Sequence, residues 1–351
     1  MTKCFVLGAG ASYGYDEVLP KELRPPMTDE FFAKGKNLHI LTRQSFPTLL
    51  DSIKDYFKTQ KGIDKADDLS DLTCDVEDLL QWLSAEFSKP IPRKEEDFEI
   101  RGRLQRALGE CFYFVYELLR HYSLSYVPRF DNYRRLALHY YNSKYGVITL
   151  NYDTLFETAI QSVPLNFHYF PSPHYPQSIP IAKLHGSINW VNPCSGSVAF
   201  SGMKGDPFPR IANIIYSNRI QVGQMMVLPL NAIKNISYRD YVRSGIDYDE
   251  PALIPPLADY KDYEKVEAYK DVWALAKSLL EDATELVFIG CSVRSKDIKF
   301  NELLQSSIKD GVPITVCDEN YEPVMDRLKK VMPNPRFEQP FKSFEEYART
   351  L

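Results

Sequence analysis

Short apolar runs that stop at a small or polar residue recur along the chain. They alternate with stretches whose apolar positions repeat every three or four residues. Lys3 to Leu7 is the first such run, and it breaks into Gly8-Ala9-Gly10-Ala11-Ser12, the pattern of a buried strand feeding a helix. From Leu38 to about Tyr141 the period is helical. Leu49, Leu50, Ile53, Tyr56 and Phe57 share a face, as do Val76, Leu79, Leu80, Leu83 and Phe87, and then Leu104, Leu108, Cys111, Phe112, Val115, Leu119 and Tyr122. Strand-like runs return at Gly146 to Leu150, Ile179 to Leu184, Leu286 to Ile289 and Ile314 to Cys317. A helix is expected after Asp262, with Val266, Tyr269, Trp273, Ala276 and Leu280 inward, and Ser343 and Glu346 have capping-box spacing near the C-terminus.

Strands separated by helices predict an α/β fold, a Rossmann-like doubly wound parallel sheet of about six strands with a large helical insert module. The expected division is 1–37 with 145–351 for the sheet domain and 38–144 for the insert. Between Val191 and Pro256 the chain is rich in Pro, Gly, Asn and Ser, and reads as an irregular module with one strand candidate at Gln224 to Leu230.

Composition narrows the function classes. With 351 residues, 44% of them apolar, the chain can bury one large core or two unequal ones. A net charge of −5 argues against a dedicated nucleic-acid surface. The six cysteines, at 4, 74, 111, 194, 291 and 317, include no C-x-x-C pair, which supports neither a zinc ribbon nor a disulfide framework. No apolar run reaches the ~18 residues of a membrane span and no leader precedes the first strand, so a cytoplasmic protein with reduced thiols is expected.

The candidate chemistry lies where strands end. Small residues in the loop Gly8 to Ser12 suit a pyrophosphate, because they let main-chain N–H groups approach an anion. The third glycine of a dinucleotide fingerprint is replaced by Tyr13, however, and no second strand ending in Asp or Glu follows about 20 residues on. Hydride transfer is thereby disfavoured. Asn151 and Asp153 follow a buried strand in "VITLNYDTLFE", as ligand groups or as helix caps. His185 ends the run "IAKLHGS", as a general acid or base or as a structural imidazole. Gly290, Ser292 and Asp297 follow "ELVFIG", and Asp318 and Asn320 follow "PITVC", where an Asp can hold ribose hydroxyls or simply cap a helix.

Taken in order, "GAGAS", "LNYD", "LHGS" and "IGCSVRSKD" resemble the Sir2-like superfamily over about 1–32, 145–190 and 252–325, and its bacterial branch of NAD-cleaving defence proteins more than its protein deacylases. The resemblance implies that Gly8, Ala9, Gly10, Ala11 and Ser12 hold the pyrophosphate of NAD+. It implies that Asn151 orients the ribose or the attacking water, that Asp153 meets the carboxamide, and that His185 acts on a ribose hydroxyl or the nucleophile. Gly290 and Ser292 would lie near the adenosine side, and Asp318, by its strand-end position, is kept as a ribose-binding candidate. NAD+ would be a substrate, cleaved to nicotinamide and ADP-ribose without a metal, and the activity would be gated by homo-oligomer formation or by a separate partner such as an ATPase. Two cysteine pairs and a "SGIPDFR" segment mark the deacylases. Here Cys194 stands alone and "YGYDEVLP" follows Ser12, which counts against the alternative of a deacylase or ADP-ribosyltransferase. A non-catalytic NAD+ or ADP-ribose sensor is the other alternative.

Overall fold

The computed structural model describes residues 2–63, 74–89, 95–170, 178–195, 225–235, 247–253, 267–332 and 334–351. Most of the Pro- and Gly-rich segment 191–256 lies outside these residues, as does Val266 of the expected helix face. The chain divides into two units, one of residues 1–27, 125–187 and 253–351 and one of 28–124 and 188–252.

The first unit is built on a seven-stranded sheet. Its strands are β1 (Lys3–Leu7), β2 (Tyr145–Thr149), β3 (Asn166–His168), β4 (Ser178–Lys183), β8 (Glu285–Ile289), β9 (Pro313–Cys317) and β10 (Arg336–Phe337), in the spatial order β10-β9-β8-β1-β2-β4-β3. Every neighbouring pair is parallel. β2 is buried at every position and β1, β8 and β9 at all but their first, so both faces of the sheet are covered, as parallel strands require. Six of the seven strands follow the doubly wound order, the expected fold class. The seventh, β3, is a three-residue edge strand with polar Asn166 and His168, too short and too exposed to register as an apolar run.

Helices α6 (Asn132–His139), α7 (Leu155–Gln161) and α11 (Phe344–Ala348) pack as one group. A second group comprises α8 (Glu267–Glu281), which lies on β2 and β4, with α9 (Ile298–Ser307) and α10 (Tyr321–Val331). Ser343 caps α11 by accepting the Glu346 N–H, while the Glu346 carboxylate accepts the N–H of Lys342.

β1 sits at the centre of the sheet. The chain leaves β1 for β2, β4 and β3 on one side and later returns to β8, β9 and β10 on the other. The direction of winding therefore reverses between β1 and β8, and ligands of open α/β sheets bind at the carboxyl ends of strands at such a reversal.

The second unit holds α2 (Phe31–Asn37), α3 (Pro47–Lys61), α4 (Val76–Ser88) and the 31-residue α5 (Glu95–Ser125), together with a three-stranded sheet ordered β6-β5-β7 from β5 (Gly186–Ser195), β6 (Met226–Val227) and β7 (Asp247–Leu253). β6 is shorter than the Gln224–Leu230 run suggested, because Pro229 has no N–H to continue the ladder. The helical faces read from the sequence are the buried ones, with Leu49, Ile53, Tyr56 and Phe57 on α3 and Leu108, Cys111, Val115 and Leu119 on α5.

One polar group is embedded among them. α3 has no side-chain cap of its own, and the fully buried Glu110 of α5 supplies one, its Oε2 accepting the Leu49 N–H at 2.7 Å. Thr48, at the same helix start, lies beside this carboxyl. Burial outweighs the capping bonds and pushes the carboxyl from 4.5 to about 7. Between those values the folded chain keeps a proton that the unfolded chain releases. Stability from this group is present below about pH 4.5 and is lost as pH rises through about 7, by at most ~3 kcal/mol. Urea midpoints of the helical signal should therefore fall from pH 5 to 8 in the native chain and fall less in Glu110→Gln. An equal fall in both would show that Glu110 is not the group responsible.

Candidate functional site

The site is built from loops at the carboxyl edge of the first unit's sheet. The loops after β1 and β8 meet through their main chains. Gly8 and Gly10 donate N–H bonds to the carbonyls of Ile289 and Gly290, both at 3.0 Å, and Gly290 donates to the Cys317 carbonyl at 2.9 Å. A Cβ at Gly8 would lie 2.4 Å from the Gly290 carbonyl oxygen. One at Gly290, whose φ is +53°, would lie 2.2 Å from the Ala11 nitrogen. The glycines are there first for this backbone approach. Their N–H groups are engaged, so a pyrophosphate at this loop has to be met by other main-chain donors. Ala9 and Ala11 lie within α1 (Ala9–Tyr13), which is only five residues long.

Asn151 and Asp153 follow β2 and are joined to this loop. The Asn151 amide donates to the Gly8 carbonyl at 2.8 Å and to Ser12 Oγ at 3.0 Å. Ser12 donates its one hydroxyl proton to Asp153 Oδ2 at 2.8 Å, so Tyr133 of α6, 2.9 Å away, is the donor to Ser12. A hydroxyl with one proton given and two bonds accepted is saturated. What Ser12 offers a ligand is main chain, and its side chain locks Asn151 to Asp153. Asp153 Oδ1 accepts the Leu155 N–H at 3.1 Å, which fixes the turn into α7.

Behind Asp153 lies a buried ion pair. Lys183, the last residue of β4, donates to the Asp153 carbonyl at 2.5 Å and to Glu157 Oε1 at 2.9 Å, and Tyr169 donates to the same carboxylate oxygen at 3.1 Å. Lys183 and Glu157 are almost completely buried. Burial raises the Asp153 carboxyl, with the Lys183 charge opposing. Burial and then the Asp153 charge raise the Tyr133 phenol far above its ordinary value, so it remains a hydrogen-bond donor.

His185 follows β4 by two residues. It is buried, its ring centroid 6.1 Å from that of Tyr152, which lies between Asn151 and Asp153. Nε2 has Asp297 Oδ2 as its near neighbour at 3.0 Å, off the ideal hydrogen-bond line. Ser187 Oγ donates to the Tyr152 carbonyl at 3.3 Å. Ser292 and Asp318 lie at the same sheet edge but are engaged locally. The Ser292 carbonyl accepts from Arg327 at 2.7 Å, and Asp318 Oδ1 accepts the Asn320 N–H at 2.8 Å, its carboxyl raised by burial. Cys291, beneath the β8 loop, is held up at about 12 by burial and is no nucleophile at neutral pH.

Of the residues singled out from sequence, the structure therefore links Gly8, Gly10, Gly290, Ser12, Asn151 and Asp153 directly, and places His185 beside Tyr152. It gives Ser292 and Asp318 no bond to that group. Sequence reasoning missed Tyr133, Glu157 and Lys183, and noted Asp297 without its partner. A lysine inside the apolar run "IAKLH" was the available signal, since a charge in a buried strand demands a counter-charge. Among the described residues no three His, Cys, Asp or Glu side chains converge as for a metal ion, and no helix is long and apolar enough to cross a membrane.

No known family model matches this chain, and no curated protein does. Solved structures similar to it include Sir2 enzymes. A sirtuin studied for the structural basis of its substrate affinity is 13% identical with a TM-score of 0.44, over 99% of this chain and 92% of that one. Sir2 bound to an acetylated peptide is 10% identical with a TM-score of 0.42, over 99% and 91%. Sir2 with a p53 peptide and NAD+ is 11% identical with a TM-score of 0.40, also over 99% and 91%. Likeness of this order does not extend to substrate or activity.

The Lys183–Glu157 pair gives a stability test. Lys183→Met should cost about 3–5 kcal/mol by leaving Glu157 buried without its counter-charge. Adding Glu157→Gln should recover most of that loss in denaturant unfolding. Full additivity of the two losses would show that the pair is not coupled.

Proposed function

We propose that the chain cleaves the nicotinamide–ribose bond of NAD+ by hydrolysis, giving nicotinamide and ADP-ribose. The observation that carries this reading is the gathering of Asn151 and His185 at the carboxyl edge of the sheet, Asn151 bonded to the loop that follows the central strand. As that bond breaks, positive charge develops on the ribose. The reaction calls for groups that orient the ribose, accept a proton from water and tolerate a cation nearby. With its amide protons directed at Gly8 and Ser12, Asn151 turns Oδ1, an acceptor, toward a water or ribose hydroxyl. His185 takes the proton. Lys183 is paired with Glu157 and bonded to the Asp153 carbonyl behind the site, so its ammonium charge is balanced there and opposes an oxocarbenium-like centre less.

The fit to NAD+ is limited in one respect. The N–H groups of Gly8, Gly10, Ala11 and Gly290 are all engaged within the chain, so we assign the grip to the main chain of Ala9 and Ser12 with the Cys291–Ser292 loop, and Asp318 toward the adenosine. The role in defence, and gating by self-assembly or by a partner such as an ATPase, extend this proposal from the sequence resemblance.

The test is nicotinamide release from NAD+ by the full chain, measured by chromatography with and without an acetyl-lysine peptide. Release without peptide is expected, with Asn151→Ala and His185→Ala each lowering it by about 10²–10⁴-fold while the fold is kept. Release that depends strictly on the peptide would make the chain a deacylase. Full turnover in both variants would remove these residues from the site.

A further inference from the structure

His185 is held from one side by a carboxylate far away in sequence. Asp297 ends the loop between β8 and α9, and its two oxygens have separate tasks. Oδ1 caps α9 by accepting the Phe300 N–H at 3.3 Å, and Oδ2 faces His185 Nε2 at 3.0 Å. Both side chains are less than a tenth exposed, so the contact is little screened.

The loop that carries Asp297 is over-determined. Its N–H bonds the Arg294 carbonyl at 3.1 Å, and the same carbonyl accepts from Asn301 at 3.0 Å. The Ser292 carbonyl is tied to Arg327. Val293 is buried at φ +47°, a conformation that a β-branched residue adopts only when its surroundings impose it. Capping α9 requires an oxygen at this position and no charge, since Asn caps as well as Asp. A buried carboxylate directed at an imidazole goes beyond that requirement.

We propose that Asp297 is the positioning residue of His185, fixing its tautomer with the proton on Nε2, so that Nδ1 is the nitrogen that accepts a proton. The proposal deepens the hydrolysis reading and rests on it for the identity of the reaction. The C1′–N bond breaks with its electron pair passing to the pyridinium nitrogen, and nicotinamide leaves neutral. The water oxygen bonds C1′, and the proton that water loses passes to Nδ1 and then to solvent. The Asp297 carboxylate faces and balances the imidazolium that forms. Nε2 and Oδ2 are 3.0 Å apart but off the hydrogen-bond line, and catalytic bonds of this kind tighten around substrate.

Two readouts test this. Nitrogen-15 spectra of the full chain, with His185 assigned by its loss in His185→Gln, should show Nε2 protonated and Nδ1 bare. In Asp297→Asn, which keeps the α9 cap, that pattern should be lost. A wild-type ring protonated on Nδ1, or a spectrum unchanged by Asp297→Asn, would overturn the proposal. In the nicotinamide-release assay, Asp297→Asn should lower kcat by about 10²–10⁴-fold with KM and melting temperature nearly unchanged, and Asp297→Glu should restore part of the loss. An unchanged kcat in Asp297→Asn would also overturn it. A wild-type chain that releases no nicotinamide would sink the hydrolysis reading, and the tautomer would still be decided by the spectra.

Discussion

The loops after β1 and β8 touch through their main chains at a distance that admits no side chain between them. Gly8, Gly10 and Gly290 make the approach possible, and the bonds from Gly8 and Gly10 to the Ile289 and Gly290 carbonyls make it favourable. Everything at the sheet edge is referred to this contact. It fixes the Gly8 carbonyl as the acceptor for Asn151 and aims the first turn of α1 so that Ser12 stands between Asn151 and Asp153. The same contact joins the two halves of the sheet at the point where the winding reverses. A methyl group at Gly290 would have to move the Ala11 main chain, and the disturbance would pass to Ser12 one residue further on.

A polar cluster this deeply buried is stable only if nearly every member is satisfied. Tyr133, Ser12, Asn151, Asp153, Lys183, Glu157 and Tyr169 form a connected set of donors and acceptors drawn from α1, α6, β4, α7 and the loops between them. Satisfaction has a functional consequence. The more completely a side chain is bonded within the chain, the less it can turn toward a ligand and the more firmly it holds its neighbour. Ser12 and Asp153 are at that extreme, and the Asn151 amide protons are held by Ser12 and the Gly8 carbonyl.

The sheet was legible in the sequence because buried parallel strands are continuous apolar runs that end abruptly, and five such runs lie at five strands of the sheet. β3 was not legible, being three residues long with two polar ones. The helical period gave the buried faces of α3, α4 and α5 but not that α5 runs unbroken for 31 residues, since a continuous helix and two consecutive ones share a period. At the candidate site, the motifs lie at one edge of the sheet because chain direction alone puts strand-end residues there. Which side chains bond to each other was beyond the sequence. Nothing local to Tyr133 marks it as the donor to Ser12, and no spacing rule ties His185 to Asp297 across the intervening chain.

The sequence motif and the structure also divide the labour of the glycine loop differently. From residue types, the loop is a grip for an anion, with glycines for access and a serine for a hydroxyl contact. In three dimensions the glycines serve the contact with β8, the serine hydroxyl is saturated, and α1 is too short for a substantial dipole. The loop is also bonded to Asn151. A ligand seated against the loop's main chain would therefore be felt at Asn151 through its amide bonds to the Gly8 carbonyl and to Ser12 Oγ. Binding at this edge and orientation of the candidate catalytic amide are in that sense one structural event.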